Sequence, residues 1–524
     1  MVTVKRALLS CYDKTGLDVL AKALADHGVE LIASGGTAEF LTALGLRVTT
    51  VEAFAGITEQ LNGRVKTLHP KIYAGILARR DDPAQVRAVG ANGLIDLVVV
   101  NLYPFEQTIQ RSGISLAQAI EHIDIGGVAL LRAAAKNFSF VAAVSHPQQY
   151  ASIVEAFTRD RGSLPETLTR ALAITAFQLT SAYDARIAGY LEGITPEARS
   201  QDAAGEQGQP LPSTMTVSLR QRQALRYGEN PHQQGAWYVP EAGTVWGLGA
   251  LRQLQGKELS YNNLLDVDAA FRALLEFEEP SCVIVKHRAP CGLASAPQGV
   301  LAYDRAYAGD AEAAFGGVVG FNRPIDRALA ERVTATFVEV VMAPSVEANA
   351  LDAFAKKPNV RVISLEWPTS PPNDVEWRQL SGSWLVQNVD DSTVAADSFR
   401  VVTRRAPTEP ERANLLFAWR AAKQASSNAI VLVAEAATVG IGQGQPSRVG
   451  SVRVAIQKAG ERASGAVAAS DGFFPFPDSL EWLAQAGVTA VIQPGGSIRD
   501  AEVIEAANRA NLAMVFTGVR HFRH

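Results

Sequence analysis

The stretch LIDLVVVNLY, residues 94–103, decides the fold class of the first half of the chain. It is almost continuously apolar, which is typical of a parallel strand that is covered on both faces. Further apolar strand candidates alternate with helical patterns on either side of it. The central strand is predicted at 94–102, and the further strand candidates are 6–11, 29–34 and 140–145. The helical patterns include 15–27, 37–44 and 165–191. This alternation predicts βαβ units and therefore an α/β fold with a doubly wound parallel sheet.

The length of 524 residues predicts two to four domains. The stretch GITPEARSQDAAGEQGQPLPST, residues 193–214, is polar and rich in Gly and Pro, so we interpret it as an exposed linker. The predicted domains are residues 1–196 and 214–524, with the linker at 197–213. In the second domain, SCVIVKHRAPCG and NAIVLVAEAATVGIGQG share an apolar strand, a polar loop and a helix. They suggest two similar subdomains, joined near WPTSPPNDVEW, residues 367–377.

Composition excludes several classes of function. The net charge of −4 gives no electrostatic case for nucleic-acid binding. No apolar run is long enough to span a membrane, and MVTVKRALLSCYDK does not read as a signal peptide, so we expect a cytoplasmic protein. The three cysteines suit a reducing compartment. No CxxC or HExxH motif is present, and His521 and His524 lie where the terminus is expected to fray, so no metal site is predicted.

Two junctions between a strand and a helix carry groups suited to a phosphate. In VELIASGGTAEFL, two glycines at a helix entry let N–H groups approach an anion, although a plain N-cap explains that motif equally well by itself. In ALLSCYDKTGLDVL, hydroxyls and a lysine follow another strand, and parallel strand ends share one edge, which favours a phosphate site. The residues concerned are Ser10, Lys14, Thr15, Ser34, Gly35, Gly36 and Thr37.

The segment LNGRVKTLHPKIYAG concentrates basic residues between glycines. Such a run is usually a solvated loop. In an extended chain, however, Arg64 and Lys66 lie on one face, which could hold a phosphate or polarise a carbonyl.

Polar groups also follow the most apolar strand and open a later helix. Asn101 and Tyr103 end the strand in VVVNLYPF, where Tyr103 is either a ligand contact or a core aromatic. In EHIDIGGVALLRAAAKN, Asp124 precedes Gly126 and Gly127, and its carboxylate either caps the helix or reaches a ligand.

SGGT, GRVKTLHPKI, NLYPF and IDIGG followed by LRAAAKN resemble the cyclohydrolase domain of the bifunctional phosphoribosylaminoimidazolecarboxamide formyltransferase / inosine monophosphate (IMP) cyclohydrolase family, which implies a methylglyoxal-synthase-like fold. The resemblance implies that the nucleotide is held by Ser10, Lys14, Thr15, Ser34, Gly35, Gly36, Thr37, Arg64, Thr67, Asn101, Gly126 and Gly127. It assigns ring closure to Lys66, Tyr103, Asp124 and Lys136. A helix from Gly127 to Lys136 would separate Lys136 from Asp124 by about 15 Å, so Lys136 fits only if that helix is short or the chain turns back.

In VIVKHRAPCG, residues 283–292, three readings are open: a catalytic pair, a metal site with Cys291, or a strand end that meets water. Adjacent strand residues point to opposite faces, so Lys286 and His287 share a pocket only if the strand ends there. Pro290 and Gly292 favour that ending. We therefore predict that the strand stops near residue 285 or 286 and that a turn brings His287 towards the same ligand.

Two other motifs of the second half have a simple structural reading. GIGQGQ lacks the spacing of a dinucleotide fingerprint, and a glycine turn is the favoured interpretation. Phe473, Phe474 and Phe476 would ordinarily be core residues, but the prolines between them also allow a loop that presents rings to a flat ligand.

LRYGENPHQ, KELSYNNLLDVDAA, VKHRAPCG, AFGG, GIGQGQPSR, SDGFFPF and RHFRH resemble the formyltransferase half of the same family, so the resemblance spans nearly the whole chain. It implies two cytidine-deaminase-like α/β subdomains that transfer a formyl group from 10-formyltetrahydrofolate to the aminoimidazole carboxamide nucleotide, before the first domain closes the ring to IMP. It assigns catalysis to Lys286, His287 and Asn428. Substrate binding is assigned to Arg226, Tyr227, Phe315, Gly316, Arg448, Phe473, Phe474 and Arg520. The resemblance also implies a homodimer, no transition metal, and potassium as an accessory ion for which no residue pattern assigns a site.

The chain departs from the usual family motifs at Val128, Arg288, Ala289, Ala313 and Gly472, which affects pocket contacts more than the reaction. A different class of function, a non-catalytic sensor of phosphate ligands, would need SGGT and the Lys14 junction. It would not need Lys66, Tyr103 and Asp124 together, and their joint presence favours an enzyme.

Overall fold

A computed structural model describes residues 1–56, 61, 64–109, 111, 113–192, 211, 213–241, 246–368 and 375–524. The chain divides into two compact units, Met1–Val217 and Ser218–His524, called unit 1 and unit 2 below. Most of the predicted linker, residues 193–210 and 212, lies outside the described residues, as do residues 369–374 of the predicted join. The exact domain boundaries therefore stay predictions.

Unit 1 is built on a parallel sheet. Its described strands are β1 (Val2–Thr3), β2 (Arg6–Cys11), β3 (Glu30–Ala33), β4 (Val48–Thr50), β5 (Leu97–Asn101), β6 (Ala142–Val144) and β7 (Ser163–Leu164). Its helices are α1 (Leu17–Asp26), α2 (Gly35–Ala43), α3 (Val51–Ala55), α4 (Pro70–Leu77), α5 (Pro83–Val89), α6 (Phe105–Ile109), α7 (Leu116–Glu121), α8 (Gly126–Lys136), α9 (Tyr150–Arg159) and α10 (Glu166–Glu192), with 3₁₀ turns at Ala91–Gly93 and Pro147–Gln149. Among these, five strands pair in parallel in the order β4-β3-β2-β5-β6, which confirms the predicted sheet.

Alternate residues of each strand supply two cores, one on each face of this sheet. Leu9, Leu31 and Val99 pack on the face covered by α1, α2 and α9. Leu8 and Val98 pack on the other face, with α4, α8 and α10. Apolar side chains on both faces are the reason why the strands read as continuous apolar runs in the sequence. The result is a three-layer α/β/α unit.

Unit 2 contains a 12-stranded mixed sheet and two separate hairpins in its described part. Its strands are β8 (Leu219–Leu225), β9 (Gly235–Pro240), β10 (Arg252–Gln255), β11 (Ser281–Lys286), β12 (Ala289–Ser295), β13 (Val318–Phe321), β14 (Val340–Ala343), β15 (Arg361–Ser364), β16 (Val375–Leu380), β17 (Ser383–Asn388), β18 (Arg400–Val401), β19 (Ile430–Ala434), β20 (Ala437–Gly442), β21 (Val467–Ser470), β22 (Ala490–Gln493) and β23 (Ala513–Phe516). Its helices are α11 (Tyr261–Leu275), α12 (Gly299–Gly309), α13 (Ala311–Ala314), α14 (Arg327–Thr334), α15 (Ala348–Phe354), α16 (Glu409–Lys423), α17 (Arg448–Ala459), α18 (Asp478–Gln485) and α19 (Asp500–Arg509), with 3₁₀ turns at Gly247–Ala250, Ala396–Ser398 and Gly460–Ala463.

The large sheet is an internal repeat. The strand order is β10-β15-β14-β13-β11-β12-β20-β19-β21-β22-β23-β18. If β10 corresponds to β18, β11 to β19, and so on up to β15 and β23, the order is the same when it is read from either edge of the sheet. The pairing types also match, with parallel β13-β14-β15 and β21-β22-β23 and antiparallel hairpins β11-β12 and β19-β20. The antiparallel contact between β12 and β20 joins the halves. The predicted pair of similar subdomains is therefore confirmed.

The C-terminus of unit 2 is packed rather than frayed. His521 is only 2% exposed, its Nδ1 lies 2.6 Å from Asp390 Oδ2, and its ring is 5.0 Å from that of Trp419. The backbone N–H of His521 also donates to the carbonyl of Asp471. The expectation that this histidine lies in a fraying tail was wrong, because distant residues of unit 2 hold it.

Candidate active sites

Parallel pairing brings the carboxyl ends of β2, β3 and β5 to one edge of the unit 1 sheet. Ser10 lies near the end of β2, Ser34 directly follows β3, and their hydroxyl oxygens are 2.8 Å apart. The two junctions that the sequence predicts as a phosphate site therefore meet. They lie beside the point between β2 and β5 where the strand order reverses, which is where ligands bind in open α/β sheets.

Helix α2 presents its N-terminus at this edge. Its N-cap residue Ser34 has an extended backbone and makes no side-chain cap hydrogen bond, because its hydroxyl is turned to Ser10. The first N–H groups of a helix lack intrahelical acceptors, and the helix dipole favours an anion there. A Cβ atom built on Gly35 would lie 3.6 Å from Lys66 Nζ, so Lys66 reaches the same helix end. This arrangement therefore favours a phosphate-binding site over the alternative interpretation, a plain helix N-cap.

Two predicted binding residues use their polar atoms to fix the shape of this edge. The Asn101 amide accepts from the Asp13 backbone N–H at 2.8 Å and donates to its carbonyl at 2.7 Å. The Thr37 hydroxyl accepts from Cys11 N–H at 3.0 Å and donates to its carbonyl at 3.1 Å. These bonds tie the end of β2 to β5 and to α2. Asn101 and Thr37 are therefore part of the frame that carries the other groups.

Asp124 lies at the N-terminus of α8. Its Oδ1 accepts from Gly127 N–H at 2.7 Å, and its own N–H donates to Tyr183 Oη at 2.8 Å. Burial raises the pKa of Asp124 above its ordinary value, although hydrogen bonds from the backbones of Gly127 and Tyr103 oppose the rise. A carboxylate with a raised pKa is a better proton acceptor than an ordinary surface aspartate. The Asp124 carboxylate therefore accepts a hydrogen bond from the first turn of α8 and has a raised pKa.

Tyr103 and Thr67 lie next to this carboxylate. Tyr103 is 49% exposed and its ring centroid is 5.2 Å from that of Tyr12, so it is not a core aromatic. A Cβ atom built on Gly126 would lie 2.6 Å from Thr67 Oγ1, which shows how closely the Thr67 hydroxyl approaches the start of α8. The structure thus gathers Thr67, Tyr103 and Asp124 in one cluster.

Other predicted residues of unit 1 are placed differently. Lys14 and Thr15 lie in the loop after β2, at the ligand edge. Arg64 forms an exposed ion pair with Glu121 at 2.7 Å. Lys136 is the last residue of α8, which is unbroken, so the helix rise places it about 15 Å along the axis from the Asp124 end. Within unit 1 the structure does not bring Lys136 to Asp124, and neither condition set by the sequence, a short helix or a returning chain, is met.

The strand β11 ends at Lys286, as predicted, but the reason given was wrong. Pro290 and Gly292 do not end it, because both lie in β12. The turn consists of His287 and Arg288, with φ of 53° and 64°, between the paired residues Lys286 and Ala289. Positive φ at both central residues is what a two-residue type I′ hairpin requires, and for residues other than glycine it costs about 1–2 kcal/mol each.

Asp266, on α11, holds this strained turn and was missed by the sequence reasoning. Its Oδ1 accepts from Arg288 N–H at 2.6 Å and its Oδ2 from His287 N–H at 3.3 Å. Burial raises the pKa of Asp266, and these two backbone hydrogen bonds oppose the rise. The only signal in the sequence was its place within KELSYNNLLDVDAA, about twenty residues before the turn.

The side chain of Lys286 is held by the AFGG loop. Its Nζ donates to the Phe315 carbonyl at 2.8 Å, and Gly316 follows with φ of 73°. Burial raises the pKa of the Cys291 thiol to about 12, and its Sγ donates to the Ile284 carbonyl at 3.4 Å. These contacts give the metal reading of VIVKHRAPCG no support, the strand does end at this turn, and the catalytic roles of Lys286 and His287 stay a prediction.

The antiparallel registers place Asn428 at the same edge of the large sheet as Lys286. β12 pairs with β20 and β20 with β19, so the start of β12, the end of β20 and the start of β19 lie together. Gln443, just after β20, donates to the Pro290 carbonyl at 3.0 Å. Asn428 Nδ2 donates to the Gln445 carbonyl at 2.9 Å. Both predicted catalytic groups of unit 2 are therefore connected through one loop.

A buried ion pair orients Asn428. Arg448 Nη2 donates to Asn428 Oδ1 at 2.8 Å, and Nη1 donates to Ser470 Oγ at 2.8 Å and to Asp471 Oδ1. The side chains of Arg448 and Asp471 are 7% and 0% exposed. Ser427 Oγ also donates to Asp471. Asp471 was not predicted, although it stands in the quoted SDGFFPF motif.

A pocket of about 420 Å³ opens beside this ion pair. It is lined by Asn428, Pro446, Ser447, Arg448, Val449, Phe473, Pro475, Phe476, Asp478, Ser479 and Phe522. Phe473 and Phe476 present partly exposed rings, at 38% and 47%, whereas Phe474 is 0% exposed and belongs to the core. The predicted substrate contact by Phe474 is therefore not seen, and the core reading holds for that ring alone. Arg520 lies over the ring of Phe522 at 4.6 Å, next to the pocket.

Arg226 and Tyr227 directly follow β8, and the guanidinium of Arg226 lies 5.6 Å from the centroid of the Tyr227 ring. No described contact joins this pair to the Lys286 turn or to the pocket. The described residues contain no group of three or more His, Cys, Asp or Glu side chains that could hold a metal ion. Among the helices that the structure describes, none is both long and apolar enough to cross a membrane.

Two protein-family models match this chain. The family model for the AICARFT/IMPCHase bienzyme matches residues 134–458, and that for the MGS-like domain matches residues 16–129. The bifunctional purine biosynthesis protein PurH of Nostoc punctiforme is 48% identical over 99% of both chains. PurH of Anoxybacillus flavithermus is 45% identical over 99% of this chain and 100% of its own, and that of Roseobacter denitrificans is 46% identical over 100% and 99%.

The chain belongs to the PurH family. It is therefore a bifunctional purine biosynthesis enzyme with a formyltransferase and a cyclohydrolase activity, and the predicted family and fold class are confirmed. The match to the MGS-like domain falls on unit 1 of the chain. A solved structure titled "Crystal structure of ForH" matches 35% of this chain and 94% of its own, at 35% identity and a TM-score of 0.33, and adds nothing to the assignment.

Proposed function

We propose that unit 1 carries the cyclohydrolase site and unit 2 the formyltransferase site, each at the sheet edge described above. The observation that supports this division most directly is the connection in unit 2 between the Lys286–His287 turn and Asn428. A base, a cation and an amide at one sheet edge are the groups that formyl transfer requires. Unit 1 combines an anion-binding helix end with a tuned carboxylate, which suits ring closure of a phosphorylated nucleotide.

For formyl transfer, we assign the proton of the attacking amine to His287. The amine nitrogen of the aminoimidazole carboxamide nucleotide attacks the formyl carbon of 10-formyltetrahydrofolate, and the imidazole accepts the amine proton. Lys286 stabilises the oxyanion that develops and supplies a proton to the departing folate nitrogen. Asn428 holds the carboxamide. The bond from the formyl carbon to the folate nitrogen breaks, so the step needs no metal and no covalent enzyme intermediate.

For ring closure, we assign Asp124 as the proton acceptor. The carboxamide nitrogen attacks the formamide carbon, and one of its protons passes to Asp124 and from there to the former formyl oxygen. The formamide N–H then gives up its proton as a C=N bond forms and the C–O bond breaks, so the oxygen leaves with both protons as water. Lys66 and the N–H groups at the start of α8 stabilise the oxyanion, with Tyr103 against the substrate. The phosphate lies at the N-terminus of α2, near Ser10, Ser34 and Lys66, and this fixed end aligns the reacting groups.

The formyl donor, the oligomeric state, the cellular location, the accessory ion and the domain boundaries are more specific than what membership of the family shows. We propose 10-formyltetrahydrofolate as the formyl donor, with Phe473 and Phe476 against its flat pterin. We further propose a homodimer in the cytoplasm, with potassium as an accessory ion that is assigned to no residue here. The proposed division of the chain is residues 1–196 for the cyclohydrolase domain and 214–524 for the formyltransferase domain.

Two single substitutions test the division. His287→Ala is expected to abolish folate-dependent formylation and to leave ring closure of preformed formylated nucleotide intact. Lys66→Ala is expected to do the reverse. The two reactions are measured separately on the purified full chain, with thermal unfolding as the folding control. Unchanged formylation in His287→Ala, or unchanged ring closure in Lys66→Ala, would remove the assigned role of that residue.

A further inference from the structure

The turn that carries His287 has a copy in the second repeat of unit 2. There, β19 and β20 are joined by Glu435 and Ala436, whose φ values of 50° and 53° match the left-handed backbone of His287 and Arg288. Both hairpins have a register shift two residues before the turn, between residues 284 and 285 and between 432 and 433. The backbone of the two turns is therefore the same, but only the first carries groups proposed for catalysis.

Each turn is held by a side chain from the preceding helix at the equivalent position. Asp266 lies six residues after Ser260, which caps α11, and Asn414 lies six residues after Thr408, which caps α16. Asp266 bonds Arg288 N–H at 2.6 Å, and Asn414 Oδ1 bonds Ala436 N–H at 2.8 Å. A helix side chain that accepts from the second left-handed residue is thus a structural feature of both repeats.

The first repeat has one hydrogen bond more than the second repeat needs to hold its turn. An amide oxygen is sufficient for the copy, whereas the first repeat uses a carboxylate whose second oxygen reaches His287 N–H at 3.3 Å. That additional bond falls on the residue whose imidazole the proposed reaction uses. His287 is otherwise an exposed side chain on a two-residue turn, where the direction of the ring depends on how firmly the backbone is held.

We propose that Asp266 is a positioning residue for formyl transfer, fixing the left-handed backbone of His287 and Arg288 so that the imidazole and Lys286 address the same substrate. This inference rests on the catalytic role proposed for His287. Lys286 ends a strand and is itself anchored at the Phe315 carbonyl. Because adjacent strand residues point to opposite faces, the turn is what brings His287 to the side of Lys286. Loosening it misplaces the base without removing it.

The test uses the full-length enzyme and four variants: Asp266→Ala, Asp266→Asn, Asn414→Ala and His287→Ala. Asp266→Ala is expected to lower kcat of formyl transfer by about 10²-fold, the effect of about 1 Å of misplacement, with KM for 10-formyltetrahydrofolate changed much less. Asp266→Asn keeps one acceptor oxygen, as in the second repeat, and is expected to lose about 10-fold, an intermediate effect. Ring closure of preformed formylated nucleotide is expected to stay at the wild-type rate in both.

Asn414→Ala is the matched control, because it removes the same structural bond from a turn without a proposed catalytic residue. It is expected to leave kcat of formyl transfer unchanged. An equal fall of kcat in Asp266→Ala and Asn414→Ala would show a general structural effect and would overturn the inference, as would wild-type kcat in Asp266→Ala. If Asp266→Ala does not fold, Asp266→Asn decides, since wild-type kcat in that variant would contradict a role for the second bond.

The His287→Ala variant separates this inference from the proposal beneath it. Full formyl transfer in His287→Ala would refute the catalytic assignment of the histidine, and the positioning role of Asp266 would fall with it. Loss of formyl transfer in His287→Ala, together with wild-type kcat in Asp266→Ala, would refute the positioning role alone.

Discussion

Arg448→Met is the substitution whose outcome follows most directly from the structure of unit 2. It keeps a long apolar stem but removes the counter-ion of Asp471, whose side chain is 0% exposed. It also removes the hydrogen bonds to Ser470 and to Asn428, both 2.8 Å long. Breaking a buried pair from one side costs about 3–5 kcal/mol, because the remaining charge has no compensation. At about 2 °C per kcal/mol for a large domain, Tm of unit 2 should fall by about 6–10 °C.

The assay is selective for the affected unit. All seven tryptophans lie in unit 2, so tryptophan fluorescence during thermal unfolding reports that unit alone. Adding Asp471→Asn to Arg448→Met removes the stranded charge and should recover about 2 kcal/mol. Formyl transfer should be lost as well, since Asn428 loses its orienting partner, while ring closure should persist.

Two results would refute this reasoning. Tm of Arg448→Met within about 2 °C of the wild type would mean that the pair is not buried as described. A double variant that is less stable than Arg448→Met would mean that the carboxylate does not need its partner.

Further predictions concern the glycines and one capping carboxylate. Gly126→Ala should lower ring closure but not formyl transfer, because the new methyl would lie 2.6 Å from Thr67 Oγ1 and displace that hydroxyl; assays of both reactions on one preparation check this. Gly442→Ala should destabilise unit 2 by about 1–3 kcal/mol, because its methyl would lie 1.9 Å from a backbone carbonyl of α17, and tryptophan fluorescence in urea should show a lower midpoint for unit 2. The pKa of Glu411 is lowered to about 2: burial raises it, but hydrogen bonds from Arg405 and the Thr408 backbone prevail. The stability from this pairing should therefore be complete above about pH 4.5, and it should be lost as pH falls towards 2. An acid titration against Glu411→Gln should show the difference between the proteins disappearing over that range.

Local patterns in the sequence were sufficient for four of the five described strands of the parallel sheet in unit 1, whereas β4, Val48–Thr50, was not predicted. The strand predicted at residues 6–11 is β2, Arg6–Cys11, with the same bounds, because an apolar run in a parallel sheet is recognisable without its neighbours. The other three strands, predicted at 29–34, 94–102 and 140–145, are two to four residues shorter than predicted. Buried apolar residues such as Val29, Ile95 and Val141 continue the apolar run beyond the ends of these strands. The meeting of the Ser10 and Ser34 junctions followed from the general rule that parallel strand ends share an edge.

The hairpin after β11 could not be read in the same way. A type I′ turn is usually signalled by Asn-Gly, and this one is formed by His287 and Arg288. Pro290 and Gly292 looked like the strand breakers, yet they are accommodated in β12. The turn is stable because Asp266, on a helix far back in the chain, accepts its N–H groups. Such a tertiary contact leaves no periodic or local trace in the sequence.

Distance along the chain also explains the misreading of the C-terminus and of Lys136. Proximity to the end suggested fraying for His521, but partners more than a hundred residues away bury it. For Lys136, the sequence analysis required a short helix or a returning chain, and α8 is an unbroken helix of 11 residues, so the requirement is not met. Side-chain identity suggested the candidates, while the tertiary structure decided which of them meet.

The most direct test of the account is a single time course with the purified wild-type chain. Aminoimidazole carboxamide nucleotide and 10-formyltetrahydrofolate are the only substrates supplied, and nucleotides are separated and quantified by chromatography. The account predicts that IMP accumulates, with one tetrahydrofolate released for each IMP formed. Formylated nucleotide that accumulates without ring closure, or release of no tetrahydrofolate at all, would contradict the claim that this one chain carries both sites.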